Sequence, residues 1–243
     1  MALVTGGSRG LGLAIAHELA ARGADIAFNY LRNHGAARKA AASLEALGVR
    51  CLRVRAHLGD PESIRSLVDA VEQEYGRLDI LVNNAASGVQ RAAMELEQHH
   101  WDWTLDVNAR GPWLCVKEAV RLMPEGASVV NLTSLGSQRV LPHYTSVGVS
   151  KAALEALTRY LAVELAPRGI RVNAVSAGYV DTDALRTFPN WEEMLAQAQE
   201  KTPAGRMLTA EDVAQVVAFL CTEDAAMVRG QSIVVDGGLS LLG

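Results

Sequence analysis

Short apolar, β-branched runs alternate along the chain with longer stretches of helical period. The runs are Ala2–Thr5, Asp25–Asn29, Arg50–Ala56, Ile80–Val82, Ser128–Leu132, Arg171–Ser176 and Ser232–Val235. Between most of them lie Leu11–Arg22, Ala36–Gly48, Ile64–Tyr75, His100–Met123 and Lys151–Ala166, which read as helices. Strands alternating with helices predict βαβ units and a parallel sheet, joined by right-handed crossovers. Seven strands in that rhythm predict an α/β fold, a single Rossmann-type domain over residues 1–243 with a doubly wound sheet. Ligands then sit at the carboxyl ends of the strands. The 55 residues from Ala177 to Gln231 are longer than one crossover needs. Residues 183–206, with two prolines, Trp191 and mixed charge, are expected to form a helical flap over a substrate pocket.

Composition narrows the class. Apolar residues make up 49% of the 243, enough for a packed core, and the net charge is −4 with both signs interspersed. That balance offers nothing to attract nucleic acid or an anionic membrane. No apolar run approaches the ~18 residues of a membrane span, and no cationic apolar leader precedes the first strand, so a cytoplasmic enzyme is expected. Cys51, Cys115 and Cys221 lack both zinc spacing and an even disulfide count, and are expected as reduced thiols. No His/Asp/Glu cluster suggests a metal.

Candidate chemistry begins at Thr5-Gly-Gly-Ser-Arg-Gly-Leu-Gly12, between the first strand and the first helix. Glycines there permit a tight turn and close backbone approach to a pyrophosphate. The helix start adds free N–H groups and a positive dipole end. An NAD site places a carboxylate at the end of the second strand, about 20 residues on. Here the strand ends Ala27-Phe-Asn-Tyr-Leu-Arg32, with no carboxylate. Arg9 and Arg32 can both reach that corner, and their fork geometry suits a 2′-phosphate. NADPH is therefore expected over NADH.

Further along stand Asn83-Asn84-Ala85-Ala86, Asn108, Ser134, Tyr144, Lys151, Asn173–Gly178, Thr182 and Val235-Asp-Gly-Gly238. In that order they resemble the short-chain dehydrogenase/reductase family over essentially the whole chain. The common branch of that family has Tyr-x-x-x-Lys, but four residues before Lys151 stands Val147. The nearest tyrosine is Tyr144, seven residues before Lys151, which still allows a shared helix face. Tyr-x6-Lys is the spacing of the family's enoyl-acyl-carrier-protein reductases. The strings Val82–Val89, Met94–Glu97, His100–Thr104, Lys151–Leu165, Asp181–Leu185, Thr202–Met207 and Asp236–Leu242 resemble the NADPH-using type III of those enzymes. A displaced tyrosine has a chemical rationale: in an enoyl thioester hydride goes to C3 while charge develops on the C1 oxygen.

The resemblance implies roles. Tyr144 donates to the thioester oxygen, with Lys151 lowering its pKa and holding the nicotinamide ribose. Ser134 binds the carbonyl, and Asn108 holds a water that relays protons to Lys151. The cofactor falls to Gly6, Ser8, Arg9, Gly10, Leu11, Gly12, Tyr30, Arg32, His57, Leu58, Asn84, Ala85, Lys151, Gly178, Val180 and Thr182. Ala177 stands where the family often has proline. Tyr179 is open between substrate contact and cofactor packing. Tyr160 is expected in core or interface packing, and Trp101 and Trp103 against a neighbouring subunit. An acyl carrier protein is the implied partner, with Arg186 and Arg206 as candidate contacts, and a homotetramer the implied assembly. Two alternatives stand beside enoyl reduction: a 3-oxoacyl-thioester reductase or other short-chain ketone/alcohol oxidoreductase, and a non-catalytic NADPH-binding regulator.

Overall fold

The apolar, β-branched runs become β1 (Ala2–Val4), β2 (Ile26–Tyr30), β3 (Cys51–Arg55), β4 (Ile80–Asn83), β5 (Ser128–Ser134), β6 (Arg171–Ala177) and β7 (Ser232–Val235); the five inner strands are buried and the edge strands β3 and β7 are partly exposed. The computed structural model describes residues 1–182, 185–188 and 190–242. All seven strands are parallel in one sheet, in the order β3-β2-β1-β4-β5-β6-β7. Sequence order reverses between β1 and β4, which opens a crevice at their carboxyl ends.

The helices are α1 (Gly10–Ala21), α2 (His34–Glu45), α3 (Pro61–Tyr75), α4 (Gln98–Leu105), α5 (Gly111–Ala119), α6 (Thr145–Glu164), α7 (Trp191–Lys201) and α8 (Ala210–Leu220). Each sheet face has its own core, and neighbouring strand residues divide between them. Val4, Val82 and Val130 pack with Ile15, Leu44 and Val217 from α1, α2 and α8. Leu3, Leu81 and Val129 pack with Leu67, Leu114 and Leu161 from α3, α5 and α6. Among the described residues, no helix is long and apolar enough to cross a membrane.

Two helices differ most from the sequence reading. The expected helix His100–Met123 is α4, a π-helical turn over Asp106–Arg110, and α5. Pro112 is the cause: it has no N–H to offer the carbonyl of Asn108, and the ladder widens there. The helix expected to start at Lys151 starts at Thr145, with Tyr144 as its N-cap. In the long β6–β7 connection, α8 is the crossover helix. A short turn at Leu185–Thr187 and α7 occupy the expected flap, of which positions 183, 184 and 189 lie outside the described residues.

Phe28 is fully buried, and a Cβ added to Gly7 would lie 2.6 Å from its own Cβ. It is the floor on which the glycine loop rests. Phe28→Ala is expected to cost about 3–5 kcal/mol of unfolding free energy, read as a lowered midpoint in urea at unchanged slope.

Candidate active site

The glycine loop is held by side chains from three strand ends. The Thr5 hydroxyl accepts from the N–H groups of Asn84 (2.9 Å) and Ala85 (3.0 Å). Asn84 Nδ2 donates to the Thr5 carbonyl at 2.8 Å, so this amide holds the loop. Asn29 accepts from Gly6 N at 2.8 Å and donates to the Ala56 carbonyl at 2.9 Å, tying β2 and the end of β3 to the turn. Gly6 has φ +67°, and a Cβ at Gly12 would stand 2.4 Å from Asn84 Nδ2 and 2.5 Å from the Gly6 carbonyl oxygen. The loop is thus a cradle that side chains would fill, opening onto the first N–H groups of α1.

This cradle is one end of a cavity of about 650 Å³. Every expected cofactor residue lines it, from Gly6, Ser8, Arg9, Gly10, Leu11 and Gly12 through Tyr30, Arg32, His57, Leu58, Asn84 and Ala85 to Lys151, Gly178, Val180 and Thr182. Among the described residues no Asp or Glu lines it, while Arg9, Arg32 and Lys151 do. A polyanion with an extra phosphate at the β2 end fits that lining. The Tyr30 hydroxyl lies 3.1 Å from His34 Nδ1 at the same corner. His57 Nδ1 accepts from Gly59 N at 3.0 Å, which places the neutral ring's proton on Nε2.

At the other end the cavity is lined by Ser134, Leu135, Leu141, Tyr144, Tyr179, Leu185, Phe188, Met194 and Trp103. Tyr144 and Lys151 both face it, as the two-turn spacing requires. The Tyr144 hydroxyl is 3.4 Å from Ser134 Oγ, and its ring lies 5.7 Å from that of Phe188, centroid to centroid. Val147 does not line the cavity; it packs where a Cβ on Gly88 would come within 2.3 Å of its methyl group. Lys151 is buried and donates to the Leu132 carbonyl at 2.7 Å.

A family model described as Enoyl-(Acyl carrier protein) reductase matches residues 6–240. The chain is 41% identical over 244 residues to 1-cyclohexenylcarbonyl-CoA reductase of Streptomyces collinus, covering 100% of this chain and 87% of that one. It is 33% identical over 240 residues to 3-oxoacyl-[acyl-carrier-protein] reductase of Staphylococcus aureus, covering 98% and 97%. A short chain dehydrogenase from Burkholderia cenocepacia J2315, crystallised in complex with NADP, superposes with a TM-score of 0.91 at 37% identity over 98% of this chain and 97% of that one. The chain belongs to the short-chain dehydrogenase/reductase family. It is an oxidoreductase of that family, with the family's strand order and crevice.

Measured against the family pattern, two expectations change. Lys151 was expected to lower the pKa of Tyr144. Burial instead pushes the Tyr144 hydroxyl above the ordinary tyrosine value, with Ser134 opposing and Tyr179 adding to the rise. Tyr144 is therefore a neutral hydrogen-bond donor across the neutral pH range. Asn108 does not line the cavity. Its amide accepts from Ser87 N at 2.8 Å and donates to the Ser87 carbonyl (2.8 Å) and Ser150 Oγ (3.0 Å), fastening the segment after β4 to α6.

Other residues fall into place around this reductase site. Trp103, expected on a subunit face, is partly exposed and lines the cavity. Tyr179 lines it too, while Tyr160 is 71% exposed and so not in the core. Arg186 and Arg206 are engaged within the chain, by Asp181 and Asp212 respectively. Leu185, Phe188 and Met194 were not foreseen as lining residues individually; the length of the β6–β7 connection was the signal for them. The three cysteines are free thiols, each pushed up to about 12 by burial.

Two outcomes follow from these contacts. Asn108→Ala strands both backbone groups of Ser87 and is expected to cost about 3 kcal/mol in urea unfolding. A purely catalytic Asn108 would leave the unfolding midpoint in place. Burial holds the Lys151 ammonium down at about 8, so it is charged below that pH and neutral above it. If the ammonium holds the cofactor ribose, kcat/KM for NADPH stays level below about pH 8 and falls above it. Lys151→Arg should remove that break, because a guanidinium stays charged.

Proposed function

We propose that the protein catalyses NADPH-dependent reduction of the 2,3 double bond of enoyl thioesters, as an enoyl-acyl-carrier-protein reductase of fatty acid synthesis. The observation that carries this reading is the displaced hydroxyl. Tyr144 faces the cavity beside Ser134, while Val147 fills the position four before Lys151. NADPH, when bound, supplies the hydride. Gly6, Gly10 and Gly12 with the α1 N-terminus receive its pyrophosphate, and Arg9 and Arg32 its 2′-phosphate. Lys151 donates to the nicotinamide ribose. Val180 and Thr182 meet the carboxamide and phosphate.

Charge building on the C1 oxygen of the thioester needs a donor two carbons away from the carbon that accepts hydride. The Tyr144 hydroxyl supplies it, held neutral by burial so that its proton is available. Ser134 adds a second donor at 3.4 Å from the first. Residues 183–206 act as the flap, with Leu185, Phe188 and Met194 as its apolar inner face. The Streptomyces collinus relative supports the reading, since its named substrate is an α,β-unsaturated thioester. The acyl group arrives on an acyl carrier protein, and the enzyme works in the cytoplasm as a homotetramer. Exposed Trp113, Val149, Tyr160 and Val163 on α5 and α6 are the apolar surface that such an assembly would cover.

One feature favours a second reading. Two hydroxyls converging within 3.4 Å also suit a ketone oxygen, and the Staphylococcus aureus relative is named a 3-oxoacyl reductase. Oxidation of NADPH with a 2-enoyl and a 3-oxoacyl thioester, side by side, separates the two. The enoyl substrate is expected to be turned over alone, and Tyr144→Phe to lower kcat by about 100-fold at nearly unchanged NADPH affinity. Preference for the 3-oxoacyl substrate would replace the first reading by the second.

A further inference from the structure

We infer that Glu155 is a positioning residue of this active site, acting through Tyr144; the inference rests on the reading of Tyr144 as the donor to substrate. Glu155 lies on α6 one turn beyond Lys151 and is 6% exposed. A carboxylate in the interior is costly unless its oxygens are fully hydrogen-bonded. Here three donors converge on it. Thr133 Oγ1 donates to Oε1 at 3.0 Å, Ser137 Oγ to Oε1 at 2.5 Å, and Gln138 Nε2 to Oε2 at 3.1 Å.

Two of those donors belong to the short turn that follows β5, and this turn is the bed of Tyr144. A Cβ on Gly136 would lie 2.5 Å from the Tyr144 ring, and one on Gly148 would lie 2.7 Å from the Gly136 carbonyl oxygen. The turn is therefore wedged between the phenol ring and the first turn of α6. Ser134, at its start, is the partner of the Tyr144 hydroxyl. The Ser137 hydroxyl also lies 2.7 Å from the Ser134 carbonyl oxygen. The Ser137 hydroxyl thus sits between the Ser134 carbonyl and the Glu155 carboxylate, within hydrogen-bond distance of both, and links the helix to the strand end. Glu155 does not line the cavity, and its effect passes through the turn to the ring.

A double-mutant cycle tests this. Glu155→Gln offers one acceptor oxygen where the carboxylate offers two, so one leg of the anchor faces an NH2 group instead. Ser137→Ala removes another leg without touching the buried charge. Each is expected to lower kcat about fivefold, with substrate KM and NADPH affinity by fluorescence titration nearly unchanged, and to lower the thermal midpoint, since each leaves a buried polar group short of a partner. In a Tyr144→Phe background the same changes are expected to have less than about a twofold effect, because the hydroxyl they position is gone. Equal fold-losses in both backgrounds, no loss in either, or a loss that tracks NADPH affinity would overturn the inference. Rates are read on whichever thioester the wild-type enzyme reduces, so a 3-oxoacyl preference would unseat the enoyl reading without touching this one. A wild-type rate unaffected by Tyr144→Phe would unseat the premise itself.

Discussion

The site depends on one polar seam, where α6 lies along β5. Three successive β5 residues meet three positions of that helix. The Asn131 amide donates to Thr158 Oγ1 at 2.8 Å, the Leu132 carbonyl accepts from Lys151 Nζ at 2.7 Å, and Thr133 Oγ1 donates to Glu155 at 3.0 Å. Positions 151, 155 and 158 recur at the helical period, so they share one face. Apolar packing alone is non-directional and tolerates small slides. Directed hydrogen bonds between buried groups do not, since any slip leaves several of them unpaired at once. The seam fixes how far along the strand α6 sits, and hence where Tyr144, at its N-cap, meets Ser134, at the strand end. It also reaches the neighbouring strand, because Asn83 on β4 donates to Asn131 at 2.9 Å.

The seam explains why an ammonium can be buried beside a cavity with no carboxylate in its described lining. Among the described residues Lys151 gains a carbonyl partner and no carboxylate, and burial lowers its affinity for a proton. The cavity therefore holds a cation that no carboxylate lining it neutralises. An anionic ligand relieves both conditions at once, which is a physical reason for such a site to bind a dinucleotide more strongly than a neutral molecule. The buried carboxylate on the same helix, Glu155, is instead turned to hydroxyl and amide donors beneath the turn.

Much of this was legible in the sequence, and the rest was hidden for identifiable reasons. The inner strands could be read because burial leaves a short, mostly apolar and β-branched run, and the edge strands β3 and β7 because they keep the β-branched residues and the spacing. The glycine loop could be read because a glycine cluster set between β1 and α1 leaves backbone N–H groups open to a phosphate. The break at Asp106–Arg110 was hidden by helical periodicity on both sides of it, although Gly111-Pro112 marks the place. Glu155 could not be found from pattern, since a charged residue one turn from a lysine ordinarily reads as a solvated face. Spacing places Lys151 near Tyr144 in sequence but says nothing about burial. Desolvation is the largest cause of the rise of that hydroxyl's pKa.

The same reasoning bears on why the tyrosine stands where it does. Val147 is 8% exposed and pressed toward Gly88, where any side chain would collide with it. A larger residue at 147 would have to displace the segment that follows β4, which Asn108 holds through both backbone groups of Ser87. The position four before Lys151 is therefore committed to packing. The place seven before it is the helix N-cap, on the rim of the cavity, where an aromatic ring can lie against Gly136 and Phe188 and present its hydroxyl to Ser134. The movement of the donor from one position to the other is coupled to two glycines, Gly88 and Gly136. One leaves room for Val147 and the other for the Tyr144 ring, so changing the tyrosine spacing in this scaffold requires changes at both.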